Sequence, residues 1–307
     1  MDYTLLFAQV LNGVQLGLLL FLVASGLTLV FGILDFVNLA HGSIYMVGAF
    51  ICASLTLVVG NFLLALVIAL PITGLVGYGI ERLVARKLYA KDHLDHVLGT
   101  FGLVLVLDTS AQIIWGPAGI TVPLPDWLNG QVALFGGVLI PSFRLLIIGT
   151  GLAVAAGLFW LVNYTRLGML IRAGASNRTM VSALGIDIQL LFALVFALGA
   201  MLAGLAGMLI APITGTSIGM GGQIIITAFV VIIIGGVGSM KGAFVAALLV
   251  GLIDTLGRSF LDTLFAMVIS QDAAETAAPA VAAMMIYILM AIILAVRPQG
   301  LFPLKVR

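Results

Sequence analysis

The stretch Thr4-Leu5-Leu6-Phe7-Ala8-Gln9-Val10-Leu11-Asn12-Gly13-Val14-Gln15-Leu16-Gly17-Leu18-Leu19-Leu20-Phe21-Leu22-Val23-Ala24-Ser25-Gly26-Leu27-Thr28-Leu29-Val30-Phe31-Gly32-Ile33 carries no charged side chain. A helix crosses the hydrocarbon core with about 20 apolar residues, so this run spans a membrane with length to spare. Gly26 and Gly32 predict a bend or a tilted extension. Further apolar runs follow at 42–59, 62–84, 97–115, 144–163, 190–211, 223–238, 242–258 and 280–296. The runs at 223–238 and 242–258 are short and separated by glycine-rich sequence, so the count is eight to ten segments. Whole-chain composition agrees: of 307 residues, 63% are hydrophobic and 8% charged. Soluble domains carry about 25% charged residues, enough to cover their surface with polar groups. The expected fold is an all-α, polytopic membrane helical bundle with broken or re-entrant helices. Residues 1–307 are read as a single transmembrane domain, with an extramembrane loop at 164–189.

Charge excludes some functions and sets an orientation. A net charge of +1 gives no basic face for nucleic acid. Cys52, the lone cysteine, supports neither an internal disulfide nor a cysteine metal cage. No Lys or Arg precedes Arg82, so the first apolar run lacks the positive flank of a cleavable signal and is expected to stay as a helix. Arg82, Arg86, Lys87 and Lys91 follow the third run, and Arg166, Arg172 and Arg178 the fifth. Lys241 lies between the seventh and eighth; Arg297, Lys305 and Arg307 follow the ninth. Nine crossings put all of these on one side, which the positive-inside rule makes cytoplasmic. The N-terminus is then outside and the C-terminus inside. Asp126, Asp262, Asp272 and Glu275 fall on the opposite side. Arg144 alone dissents, at a place where a long side chain can snorkel to the headgroups.

Two loops exceed a bare connection. The outer one, 116–143, holds Pro117, Pro123, Pro125 and Pro141, flanked by the interfacial candidates Trp115 and Trp127. The inner one, 164–189, contains a proline-free run from Arg172 to Leu184, with Gly185 placed as a helix C-cap glycine. A short amphipathic helix is expected here, resting on headgroups or docking a cytoplasmic partner.

Chemical motifs are sparse. The dipeptide Gly-Lys of a nucleotide-binding loop never occurs, nor does His-Glu-x-x-His or Gly-x-Ser-x-Gly. No catalytic residue and no metal site is expected. Near the spans lie Asp35, Asp108 and Asp254. Asp254 precedes Arg258 by one helical turn and reads as an ion pair, Asp35 as a cap or turn, Asp108 as a polar pore or interhelix contact. Three scattered acids make no proton relay. His93 and His96 read as solvated loop histidines. Val37-Asn38-Leu39-Ala40-His41-Gly42-Ser43 interrupts two apolar runs, with Asn38 and His41 able to bond the broken backbone and Gly42 able to turn it. Gly235-Gly236-Val237-Gly238-Ser239-Met240-Lys241-Gly242 interrupts the second half. Such paired interruptions point to a transport site, or mark plain turns. The candidate pathway residues are therefore Asn38, His41, Gly42, Asp108, Gly235, Gly236 and Gly238.

The same residues carry a resemblance. Gly26-Leu27-Thr28-Leu29-Val30-Phe31-Gly32 leading to Asn38-Leu39-Ala40-His41-Gly42 resembles the opening of the branched-chain amino acid ABC importer permeases. Thr165-Arg166-Leu167-Gly168, Arg172-Ala173, Asn177 and Leu184-Gly185-Ile186-Asp187 resemble their coupling segment, and Gly235–Ser239 and Arg297–Phe302 two further stretches. Ser43 departs from the acidic residue often found there in the family, so no role of that acid carries over. Urea and short-amide permeases share these motifs. The resemblance implies a bacterial inner-membrane permease for branched-chain or related amino acids. It also implies a second permease, an external solute-binding protein and two cytoplasmic ATPases that bind ATP and Mg. This chain would bind no cofactor itself. Arg166, Gly168, Arg172, Ala173, Asn177 and Gly185 would then couple to an ATPase. An ion-coupled secondary transporter is the rival class, opposed by the long inner loop and the missing relay. An intramembrane enzyme is opposed by the missing catalytic sets.

Overall fold

The computed structural model describes residues 3–133, 139–267 and 270–303. Lys305 and Arg307, two of the cations used to orient the chain, lie outside the described residues. The helices are α1 (Tyr3–Leu34), α2 (His41–Val59), α3 (Phe62–Ile80), α4 (Arg86–Leu88), α5 (His93–Trp115), α6 (Ser142–Tyr164), α7 (Arg166–Ser176), α8 (Arg178–Ala183), α9 (Ile188–Thr214), α10 (Met220–Gly235), α11 (Met240–Phe265) and α12 (Gln271–Val296). A π-helical turn, Glu81–Ala85, joins α3 to α4. A small hairpin of β1 (Gln131–Ala133) and β2 (Leu139–Pro141) sits in the outer loop. Among the described residues eight helices are long and apolar enough to cross a membrane, α3 counting with its extension to Leu88. The sixteen residues of α10 rise about 24 Å. It too runs from the Thr216 end of the bundle to the basic end, and the described residues form the all-α bundle expected.

α1 is apolar all round, which suits a central helix, and its residues from Gly17 to Val30 are buried without a break. It runs unbroken through Gly26 and Gly32, where the sequence predicted a bend. Those glycines serve close packing instead. A side chain on Gly26 would meet the Gly199 carbonyl of α9 at 2.6 Å. Lower affinity between apolar helices in lipid makes such small contacts the means of association. α11 lies antiparallel on α1: Gly13 meets Leu252, Gly17 meets Leu248, and Phe21 stacks edge-on against Phe244 at 5.1 Å. A Cβ on Gly251 would strike the α1 backbone at Gly13 and Gly17.

The two bundle ends differ. Arg86 bonds Gln189, Arg178 lies over the Phe192 ring, and Lys241 over the Phe159 ring, so the third, fifth and seventh connections share a basic end. At the opposite end the Thr216 backbone and hydroxyl exchange hydrogen bonds with Ile120. There Arg144, the cation that dissents in the sequence, bonds the Asn12 side chain of α1, and Arg258 of α11 lies toward the same end. Trp115 donates to Ser54 at 2.7 Å and stacks on Phe50, so it anchors α5 to α2.

Candidate functional site

The interruption after α1 is a short loop, not a gap in a helix. The Asp35 N–H bonds the Phe31 carbonyl at 2.9 Å and Asp35 takes a left-handed φ of 51°, turning the chain out of α1. Its carboxylate is exposed and stands 4.0 Å from His93 Nε2. The chain then dives inward. Phe36, Asn38 and Ala40 are fully buried. The Leu39 N–H donates to Thr100 Oγ1 of α5 at 3.2 Å, and His41 Nε2 donates to the Val23 carbonyl of α1 at 3.2 Å. His41 thus ties the start of α2 to the interior of α1 and not to the broken backbone of the interruption. Asn38 bonds nothing through its side chain: among the described residues neither its Oδ1 nor its Nδ2 has a partner. Gly42 differs from expectation, since it lies within α2, its Cα facing the carbonyl of Gly221 on α10. Asp108 makes an interhelix contact, its Oδ1 accepting from Ser43 Oγ at 2.9 Å. The carboxylate of α5 therefore stands beside the residue where the sequence lacks an acid. His96, read as solvated, is corrected to buried: it sits in the first turn of α5, donates Nε2 to the Leu88 carbonyl and packs on Phe36.

The second interruption is also a loop between whole helices. α10 ends at Gly235, Gly236 and Gly238 take left-handed φ values of 98° and 80°, and Ser239 caps α11 by accepting from the Gly242 N–H. Leu301 and Phe302 donate backbone N–H groups to Ile234 and Gly235. The two glycine- and proline-marked stretches of the second half thus hold each other. Gly238 also faces Gly32.

Around this contact a cavity of about 820 Å³ opens at the basic end. Gly32, Arg172, Ala175, Gly238, Lys241 and Phe302 line it, over an apolar floor from α1, α6 and α11. Stretches scattered from one end of the sequence to the other meet here. Of the seven candidate pathway residues Gly238 lines this cavity, while Asn38, His41, Gly42, Asp108, Gly235 and Gly236 do not.

The inner loop folds as two helices where one was predicted. Thr165 caps α7 by accepting from the Gly168 N–H, and Asn177 ends α7 in an extended conformation and caps α8 through Met180 N–H. Gly168, Ile171 and Gly174 form the buried stripe of α7, Gly168 lying on the last carbonyls of α6. Gly185 takes φ 82° with its N–H on Ser182 and that of Ile186 on Val181, a C-terminal glycine cap. Arg166, Arg172, Asn177 and Gly185 are exposed, and Ala173 half-buried. Met180 and Leu184, one turn apart, also expose their apolar side chains. Sequence reasoning passed over this pair, though its spacing is legible.

Glu81 was missed too. It is fully buried, bonded by Arg86 at 2.9 Å and approached by the Tyr89 hydroxyl at 3.4 Å. Burial, and then Glu81 beside it, push the Tyr89 phenol well above its usual range, so it stays a neutral donor. Arg86 continues to Gln189 Oε1 at 3.2 Å, tying the end of the third crossing to the start of α9.

A second cavity, of about 860 Å³, lies at the opposite end between α1, α2, α10, α11 and α12. Asp254 and Arg258 line it and form the ion pair read from their spacing, with Nε and Nη2 2.9–3.0 Å from the carboxylate. Among the described residues no group of three or more His, Cys, Asp or Glu is placed to hold a metal.

Among the described residues eight helices long and apolar enough to cross a membrane and the shorter apolar α10, around a buried glycine-packed centre with a cavity at each end, define a multi-pass membrane protein. The chain belongs to the family of branched-chain amino acid transport system permease components, whose model matches residues 9–294. It is 31% identical to the high-affinity branched-chain amino acid transport system permease protein LivH of Escherichia coli K12, over 85% of this chain and 89% of that one. The same comparison gives 32% with BraD of Pseudomonas aeruginosa, over 81% and 85%. It gives 28% with a probable LivH of Methanocaldococcus jannaschii, over 80% and 79%. No solved structure matches the chain.

Proposed function

We propose that this chain is the membrane-spanning permease subunit of an importer for branched-chain or closely related amino acids, driven by ATP hydrolysis on separate subunits. The family match across residues 9–294 carries this reading, because it reaches into every apolar crossing. The working assembly pairs the chain with a second permease, two cytoplasmic ATPases holding ATP and Mg, and an external solute-binding protein. Residues 1–307 act as one transmembrane domain in the bacterial inner membrane, N-terminus outside and C-terminus cytoplasmic. The gathering of Arg82, Arg172, Arg178 and Lys241 toward one end supports that orientation. The segment 164–189 docks the ATPase through α7 and α8 and exposes Arg172, Met180 and Leu184. Arg172 and Ala175 also line the basic-end cavity, so a push on α7 is felt at its wall.

The test is uptake of leucine, isoleucine and valine by proteoliposomes holding the assembled complex. Accumulation is expected only with ATP on the ATPase side and binding protein on the other. Accumulation by this chain alone under an ion gradient would overturn the reading, and urea uptake without leucine uptake would replace the substrate.

A further inference from the structure

Asp254 sits fourteen residues beyond Met240 on the apolar crossing helix α11, about 21 Å along the helix axis from the basic end and so toward the opposite end of the bundle. Charges on a helix that crosses a membrane are rare and face a water-filled or protein-lined space. The Arg258 side chain is 56% exposed and borders the second cavity. Its Nε and Nη2 hold Asp254, while Nη1 has no hydrogen bond among the described residues. Tyr45 on the cavity wall is only 6% exposed, and its hydroxyl has no partner among the described residues. Gln223 and Thr227, one turn apart on α10, face the same space. The remaining wall is aliphatic, from Leu16, Leu20, Val250 and Ile286.

A helix of twenty-six residues does not need an intramembrane ion pair to form. A zwitterion with a branched aliphatic side chain needs what this cavity has: a cation for its carboxylate, an anion for its ammonium group and an apolar wall for its branch. Urea or an amide needs no charge pair, and an inorganic ion needs no aliphatic wall. We propose that this cavity is a binding station for the amino-acid zwitterion, Arg258 taking the carboxylate and Asp254 the ammonium group. In the empty state the two charges satisfy each other. With substrate they open into a four-charge network, which lets a charged solute leave water without an unpaired group. This assignment rests on the amino-acid reading of the function.

The experiment is leucine uptake per assembled complex in proteoliposomes with the full transporter. The double variant Asp254→Asn, Arg258→Gln should lower uptake at least tenfold. The exchange Asp254→Arg, Arg258→Asp keeps a helical ion pair and should not restore it, because the charges are then reversed against the substrate. Uptake within twofold of the parent in either variant overturns the site. If neither assembles, Thr227→Cys decides. A small membrane-impermeant thiol reagent should label it and stop uptake, and leucine should slow the labelling. No labelling, or labelling without loss of uptake, overturns the site. A parent complex that accumulates no leucine, isoleucine or valine sinks the amino-acid function itself; a competent parent with a competent neutral pair sinks only this assignment.

Discussion

Arg86 closes on Glu81 from five residues further along the chain, Nη2 to Oε2 at 2.9 Å, with the carboxylate fully buried. Five residues is out of phase for an α-helix, whose neighbours along one face stand three or four apart. The π-helical turn Glu81–Ala85 repeats at that longer interval and brings the pair together. Removing the cation strands a buried charge, at a cost of about 3–5 kcal/mol. Arg86→Ala should therefore lower the melting temperature of the purified protein and its yield. Glu81→Gln with Arg86→Met should recover most of the loss. A double variant as unstable as the single one would show that the two groups are not coupled.

His41 tests the inner face of the first interruption. His41→Ala removes the donor to the Val23 carbonyl, worth about 1 kcal/mol, and uptake per assembled complex should fall further than abundance does. His41→Asn keeps a donor and should be milder. If the loop only turns the chain, abundance and uptake fall together, or uptake per complex stays normal.

The α1–α11 contact has no room to give. Gly251→Val places side-chain atoms against the α1 backbone at Gly13 and Gly17, and overpacking costs about 1–3 kcal/mol or more where backbone must move. Assembled protein in the membrane should drop severalfold. Gly149→Val on α6, where a Cβ meets nothing within 4 Å, is the matched control and should leave abundance unchanged.

Gly185 isolates conformation from crowding. Its Cβ would meet nothing within 4 Å, yet its φ is 82°. Gly185→Val should cost about 1–3 kcal/mol of local strain and loosen the end of α8. Membrane insertion should be normal while leucine-dependent ATP turnover and uptake lose their coupling. Gly185→Asn, which tolerates left-handed backbone, should lie close to the parent. Equal behaviour of the two variants would remove the cap from the coupling argument.

The first seven spans were legible within about four residues, because each must present an apolar run to lipid; α11 runs seven residues past the run at 242–258, and α12 starts nine residues before the run at 280–296. The Asp254–Arg258 pair was legible for the same kind of reason, one α-helical turn being a local spacing. Glu81 was hidden because its partner sits at a π interval, and His96 because its burial depends on Phe36 arriving from another segment. Gly42 and Gly26 were visible as glycines, but whether each turns a chain or admits a neighbour depends on which helix lies across from it. The inner loop was legible as helical, its break at Asn177 less so, since an extended cap residue differs from its neighbours by one side-chain bond to the Met180 N–H.

By itself the sequence determined the class of fold, the number of crossings within one and the side on which the cations gather. Lipid enforces all three residue by residue, without reference to other parts of the chain. Only the tertiary structure decided that Gly32, Arg172, Gly238 and Phe302 border one cavity, and that Asp254 and Arg258 face another beside Tyr45. Those groupings join positions far apart in the chain through helix packing set by close glycine contacts. No local spacing records which glycine meets which.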